Sequence, residues 1–223
     1  MTTLLLLFPL ILSPVAVNVT PANPLETQSS TLATRQNEQG RQPDPKQRPS
    51  PNRKRPLRKP DVIYYPTPDE TVIEMLRLAD IKPGDVLYDL GSGDGRIPIM
   101  AAQQYGIRAV GIEIDPKMVT VAEERTRQAN LEGLVTFRNA DLFHSNISEA
   151  TVVTLYLSNK LNLLLRPKLL RELRPGSRIL SHDFHMGDWK AERTIRVPWQ
   201  KGLYRTIYFW RVPTRGKKGW TKH

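Results

Sequence analysis

Downstream of Asp61 the apolar positions switch repeatedly between helical and strand spacing. Pro68-Asp69-Glu70 opens a helix whose Val72, Met75, Leu76 and Ala79 share one face, and Pro83-Gly84 closes it. Val86–Leu90 is then a short apolar run of strand length, followed by a helix from about Arg96 to Tyr105. Ala109–Ile114 reads as a buried strand, Lys117–Asn130 as a helix, and Val135–Asn139, Val152–Leu157 and Arg178–His182 as three further strands. Between the last two, Leu161–Leu173 has apolar i, i+3, i+4 spacing, with Pro167 predicting an interruption. After Trp189 the spacing is irregular until Tyr204–Val212, which alternates like an antiparallel strand closing one edge. Strands alternating with helices predict an α/β fold, a mostly parallel sheet with helices on both faces.

The first sixty residues follow other rules. Residues 4–17 are apolar and uncharged, shorter than the 17–25 residues of a spanning helix, and broken by Pro9 and Pro14. The length suits the core of a secretory signal, but no Lys or Arg precedes it. Residues 23–60 carry nine basic and three acidic side chains, with six prolines between Pro43 and Pro60. Such a stretch cannot bury enough apolar surface to order itself, so a disordered basic linker is predicted. Positive charge just after an apolar segment resists export, which favours an anchor with the remainder on the cytoplasmic face over a cleaved signal peptide. The chain therefore divides into an apolar segment 1–22, a linker 23–60, a folded domain 61–213 and a basic tail 214–223. A membrane surface is an expected partner through residues 4–60. No aromatic residue interleaves the linker's charges, which speaks against a dedicated nucleic-acid arm. The sequence leaves the oligomeric state open.

Overall charge is +11, and with no cysteine among 223 residues there is no disulfide, thiolate metal site or cysteine nucleophile. The four histidines show no metal-ligand spacing, so no metal is expected. The chemistry concentrates in Asp89-Leu90-Gly91-Ser92-Gly93-Asp94-Gly95-Arg96, where a strand ends and a helix begins. Glycines there let the backbone turn sharply and approach a ligand at the carboxyl edge of the sheet. A nucleoside triphosphate would require a Lys and a hydroxyl residue after the last glycine, and Arg96-Ile97 stand there instead. For a dinucleotide the third glycine comes one residue early, and Asp89 and Asp94 would repel a pyrophosphate. S-adenosyl-L-methionine, with a sulfonium, an ammonium and no phosphate, tolerates those acids. Glu113, ending the second strand, reads as the acceptor for ribose hydroxyls, because an unpartnered carboxylate at a buried strand end would be costly. Asp141 reads either as the acceptor for the adenine amino group, with Leu142 or Phe143 on the ring, or as an ordinary loop acid.

The run DLGSGDGR, then GIEID, NADLF and VVTLYL, resembles in order and spacing the successive motifs of class I, seven-strand S-adenosylmethionine-dependent methyltransferases. With Tyr64-Tyr65-Pro66-Thr67-Pro68 upstream, the chain resembles more narrowly the protein lysine methyltransferases that modify the ATP synthase c-subunit and the adenine nucleotide translocase, and their prokaryotic relatives. The resemblance spans about residues 62–190 and implies a Rossmann-like seven-stranded sheet and a protein substrate; the alternatives are a small-molecule or RNA methyltransferase sharing the same cofactor residues and a noncatalytic membrane-surface module. It further implies that Asp89, Gly91, Ser92, Gly93 and Gly95 hold the methionyl part, Glu113 the ribose, and Asp141 with Leu142 the adenine. Tyr65 and Thr67 would belong to a loop covering the cofactor. Tyr156, at the end of the fourth strand, is the candidate for lining a lysine channel, with a core position as the alternative. His182 and Asp183 read as a proton acceptor or substrate contact, or as a capped turn.

Overall fold

The structure, a computed structural model, describes residues 57–214; the apolar segment 1–22, most of the linker 23–60 and all but the first residue of the tail lie outside the described residues. Four helices, α1 (Asp69–Ala79), α2 (Arg96–Tyr105), α3 (Pro116–Gln128) and α4 (Asn159–Glu172), alternate with seven strands. The strands are β1 (Val86–Leu90), β2 (Arg108–Glu113), β3 (Val135–Asn139), β4 (Val152–Leu155), β5 (Arg178–His182), β6 (Arg193–Pro198) and β7 (Tyr204–Arg211). They form one sheet in the order β3-β2-β1-β4-β5-β7-β6. The five strands from β3 to β5 are parallel, and β7 runs antiparallel to both β5 and β6.

Side-chain alternation divides the core between the two faces. Leu87 and Leu180 join α1 and α2 on one side through Met75, Leu76, Ile97 and Ala101. Their neighbours Tyr88 and Ile179 join Leu165 and Leu169 of α4 on the other. The same split separates Phe209 from Trp210 on β7. A strand with both faces buried has no polar side to show, which is why β1 and β4 read as continuous apolar runs.

Two local expectations are corrected. The helix over α4 is not interrupted at Pro167 but runs through it. Ser158 caps its start by accepting from the Leu161 N–H at 3.2 Å, and Leu161, Leu165 and Leu169 are buried along one face. The burial of that face compensates for the one backbone donor that proline lacks. The Tyr204–Val212 strand is antiparallel as expected, but the outermost position belongs to β6, whose residues are mostly exposed and carry almost no apolar period. Among the described residues no helix is long and apolar enough to cross a membrane.

Candidate active site

A cavity of about 420 Å³ opens along the carboxyl ends of β1, β2 and β4, a size suited to a small-molecule ligand. Its floor is the glycine loop. Gly91, Gly93 and Gly95 all have positive φ, at 84°, 50° and 79°. A Cβ on Gly93 would come within 2.3 Å of the Tyr64 ring, and one on Gly95 within 2.5 Å of Phe137 and 2.9 Å of Ala122. Gly93 is thus the place where the segment before α1 lies down on the loop. Gly95 instead lets α3 and β3 pack behind the loop and does not line the cavity. Both amides of Gly91 and Ser92 donate to the Ile112 carbonyl, at 2.8 and 3.1 Å, fixing the loop to the end of β2.

The carboxylates around the cavity differ in what holds them. Glu113 accepts the Gly93 amide on one oxygen at 2.8 Å and the Asp115 amide on the other at 2.9 Å, so its plane is fixed while it lines the cavity. Asp94 is held by Arg96 through two nitrogens and by Arg125, which keep its carboxyl below the ordinary range against the opposing effect of burial. Asp89 is almost wholly buried, and among the described residues its one donor is the Thr154 hydroxyl at 2.8 Å. Burial, with smaller contributions from Glu113 and Asp94, pushes it up to about 8 against Thr154. Burial thus favours the protonated form of Asp89 in the neutral range.

The opposite wall is the segment 58–67, a strap across the cavity. Arg96 binds it by donating to the Thr67 carbonyl at 2.9 Å. Arg58 binds it at the far end, donating to both oxygens of Asp141 at 2.6 and 3.1 Å and lying 5.2 Å from the Phe143 ring centroid. Asp141 also accepts the Phe143 amide at 2.9 Å and does not line the cavity, whereas Leu142 does. Tyr65, Thr67, Asp89, Gly91, Ser92, Glu113 and Tyr156 all line it too. Arg58 and Pro60, which the composition groups with the linker, are part of the wall.

Beside Tyr156 lies a polar array that the sequence leaves scattered. The His182 ring stacks on Tyr156 at 3.8 Å between centroids, and its Nδ1 is 3.2 Å from the Thr67 hydroxyl. Burial drives this histidine down to about 4, Asp183 opposing and Arg205 assisting, so it is neutral at physiological pH. Among the described residues its Nε2 has no hydrogen-bond partner, with Asp183 Oδ2 3.4 Å away. Asp183, at φ 58°, is fixed by Arg205 at 2.9 Å and the Thr206 amide at 2.7 Å, so it does more than cap a turn. Tyr156 is half-buried and its hydroxyl is raised mainly by burial. Arg58 is a contributor that no motif marks, while Tyr64 and Arg96 stand inside the motifs without a role assigned to them there.

The ANTKMT methyltransferase domain pattern matches residues 89–193, from the acid of the glycine loop to the start of β6. A protein-lysine N-methyltransferase of Saccharolobus islandicus is 38% identical over 152 residues, covering 68% of this chain and 94% of the relative. The chain belongs to the ANTKMT methyltransferase family. The adenine nucleotide translocase lysine N-methyltransferase of mouse is 34% identical over 144 residues, 64% of this chain and 62% of the mouse protein. Among solved structures, an RNA methyltransferase from Salinibacter ruber in complex with S-adenosyl-L-homocysteine is 48% identical, with a TM-score of 0.65 over 71% of this chain and all of that one. The cofactor of this ANTKMT-family enzyme is S-adenosyl-L-methionine. Its residues fit that group: Glu113 lines the cavity with its plane fixed by the Gly93 and Asp115 amides, and the buried acid Asp89 lines it beside the glycine loop.

Proposed function

We propose that the protein methylates the side-chain amine of a lysine in a protein substrate. The reading rests on the acceptor wall, where Tyr156, stacked on the buried His182, lines the cavity together with Tyr65, Leu157 and Leu161. A lysine ammonium entering such a wall is disfavoured as a cation and sheds its proton to solvent before reaction. Bound S-adenosyl-L-methionine supplies a methyl group on a sulfonium leaving group, and an amine in line with it needs alignment and exclusion of water more than an acid or base. The names of the relatives from Saccharolobus and mouse support the same class of acceptor.

In this proposal Glu113 accepts the ribose hydroxyls, and Asp89 with Gly91 and Ser92 receives the methionyl end. Gly93 acts by seating Tyr64, and Gly95 by letting α3 approach. Leu142 packs on the adenine, while Asp141 stands at that end sharing its carboxylate with Arg58. Tyr65 and Thr67 cover the cofactor from the strap. Residues 4–17 anchor the chain with the catalytic domain on the cytoplasmic face, which protease protection of sealed membranes would test.

The 48% identity to a protein described as an RNA methyltransferase makes RNA the second reading. Transfer of tritiated methyl from labelled S-adenosyl-L-methionine into membrane and soluble extracts separates the two. Label that protease releases, and that mass spectrometry places on lysine, is the expected result. Label that ribonuclease releases overturns the lysine assignment.

A further inference from the structure

The β6–β7 hairpin plays no part in the cavity, yet its position and charge set it apart from the rest of the domain. Residues 61–188 contain fourteen basic and eighteen acidic side chains, whereas 189–214 contain Lys190, Arg193, Arg196, Lys201, Arg205 and Arg211 against Glu192 alone. A nearly neutral domain thus has a basic edge and an acidic remainder. The register shows where that edge points. His182, the last residue of β5, pairs with Ile207, while the hairpin continues to the Pro198–Tyr204 pair and its loop. At about 3.3 Å per residue the tip stands roughly 10 Å beyond the end of β5, on the rim where the cavity opens.

Several of the hairpin's guanidinium groups are already engaged. Arg205 lies 3.7 Å from the Trp199 ring centroid and binds Asp183, and Arg193 donates to the Leu78 carbonyl. Arg196 and Lys201 are exposed, and neither makes an ion pair among the described residues. Arg196 is spread over Tyr204 at 4.4 Å, leaving its charge at the tip. Around these charges the surface is apolar. Leu203 is 53% and Tyr204 48% exposed at the tip, and on the strap Ile63 is 95% exposed beside the half-exposed Tyr65. Exposed aliphatic and tyrosine side chains flanked by free cations are the composition of a surface that sits at the boundary between headgroups and acyl chains. Nucleic acid would use the cations and the aromatic rings, but gains little from Ile63 and Leu203.

We propose that the hairpin tip and the strap together form a docking face for an anionic phospholipid bilayer, which sets the mouth of the cavity against the membrane. Charge complementarity supplies the attraction through Arg196 and Lys201, and Ile63, Leu203 and Tyr204 enter the interface. This face consists of residues distinct from the apolar segment and linker at the start of the chain, and it does not depend on which atom is methylated.

The test uses the full chain and vesicles of phosphatidylcholine with and without phosphatidylserine, reading the ratio of the two partition coefficients. Apolar insertion of the first residues is common to both vesicles and cancels, and the linker's charges are the same in every variant. Each basic residue near an anionic surface is worth about fivefold in binding, so Arg196→Gln with Lys201→Gln lowers the ratio by roughly twenty-fivefold. The matched control is Lys82→Gln with Arg127→Gln, which removes the same charge from the opposite edge of the sheet, before β1 and at the end of α3. It leaves the ratio within about twofold. Ile63→Ser lowers binding to both vesicles and leaves binding to single-stranded RNA unchanged. Equal losses in the test and control pairs overturn the proposal, since net charge alone then drives binding. So does an unchanged vesicle ratio accompanied by loss of RNA binding in the Arg196 and Lys201 pair, which would make this face a nucleic-acid surface. Circular dichroism and S-adenosyl-L-homocysteine affinity unchanged by those two substitutions establish that the fold is intact.

Discussion

Asp89 offers the sharpest test of how the cavity receives its cofactor. Burial pushes its carboxyl up to about 8, whereas an unfolded aspartate titrates near 3.8. Throughout the neutral range the free enzyme therefore holds a proton there. If the cationic methionyl end docks against Asp89, binding draws the carboxylate into its charged form and expels that proton. Below pH 7 the ligand's α-ammonium is fully charged, as is the rule for groups titrating near 7.7–8.0, so Asp89 alone supplies the slope. Each pH unit below the free-enzyme value then weakens binding about tenfold, roughly thirtyfold between pH 7 and 5.5. His182, at about 4, stays outside that window. Calorimetric titration with S-adenosyl-L-homocysteine in buffers of different ionisation enthalpy counts the protons released, and close to one per ligand is expected at pH 6. Asp89→Asn keeps an acceptor for the Thr154 hydroxyl and removes the titration, so its affinity is weaker and flat with pH. A flat wild type, or an Asn variant with the wild-type slope, refutes the reasoning. Stability carries the same signature with a defined sign. The folded value lies above the unfolded one, so the contribution is complete below pH 4 and is lost as pH rises towards 8, at about 1.4 kcal/mol per pH unit. Asp89→Asn removes that decline in chemical denaturation.

Glu113→Ala deletes the acceptor of the Gly93 and Asp115 amides, and S-adenosyl-L-homocysteine affinity falls by about 2–3 kcal/mol in titration while the circular dichroism spectrum is retained. Gly95→Ala forces a side chain into positive φ against Phe137 and Ala122, costing about 2–5 kcal/mol in denaturant unfolding, whereas Gly84→Ala, with open space around it, costs about 1 kcal/mol. For His182 the folded value lies below the ordinary one, so its stabilisation is present above pH 6.5 and lost as pH falls towards 4, an amount of about 3 kcal/mol. Imidazole resonances of His182 that stay in the neutral form down to pH 5 agree with this, and a midpoint near 6.5 contradicts it.

Much of the domain could be read from local pattern because its parallel strands are buried on both faces and its helices have one apolar side. Every helix and six strands are visible that way: Val86–Leu90, Arg96–Tyr105, Val135–Asn139 and Arg178–His182 have the expected bounds, and α3, α4, β2, β4 and β7 have ends displaced by no more than two residues. β6 escaped because only Val197 of its six residues is buried, so no alternation marks it. Pro167 misled for the opposite reason, since a local penalty was outweighed by the burial of Leu165 and Leu169. In the site, Glu113 and the glycine loop are legible because strand, turn and helix are adjacent in the chain. The links between Thr67 and His182 and between Arg58 and Asp141 cross 115 and 83 positions, distances at which no spacing rule operates. Asp141 shows the difference most clearly: its type and place mark it as an acceptor, but its donors in the structure are Arg58 and the Phe143 amide.

The insertion of β7 between β5 and β6 has a consequence for how the nascent chain matures on the ribosome. β6 emerges before β7, its one partner among the described residues, and β5 likewise waits with one side open. Until Tyr204–Arg211 arrives, two rows of backbone donors and acceptors are available to any neighbouring polypeptide, and a single late segment closes both at once.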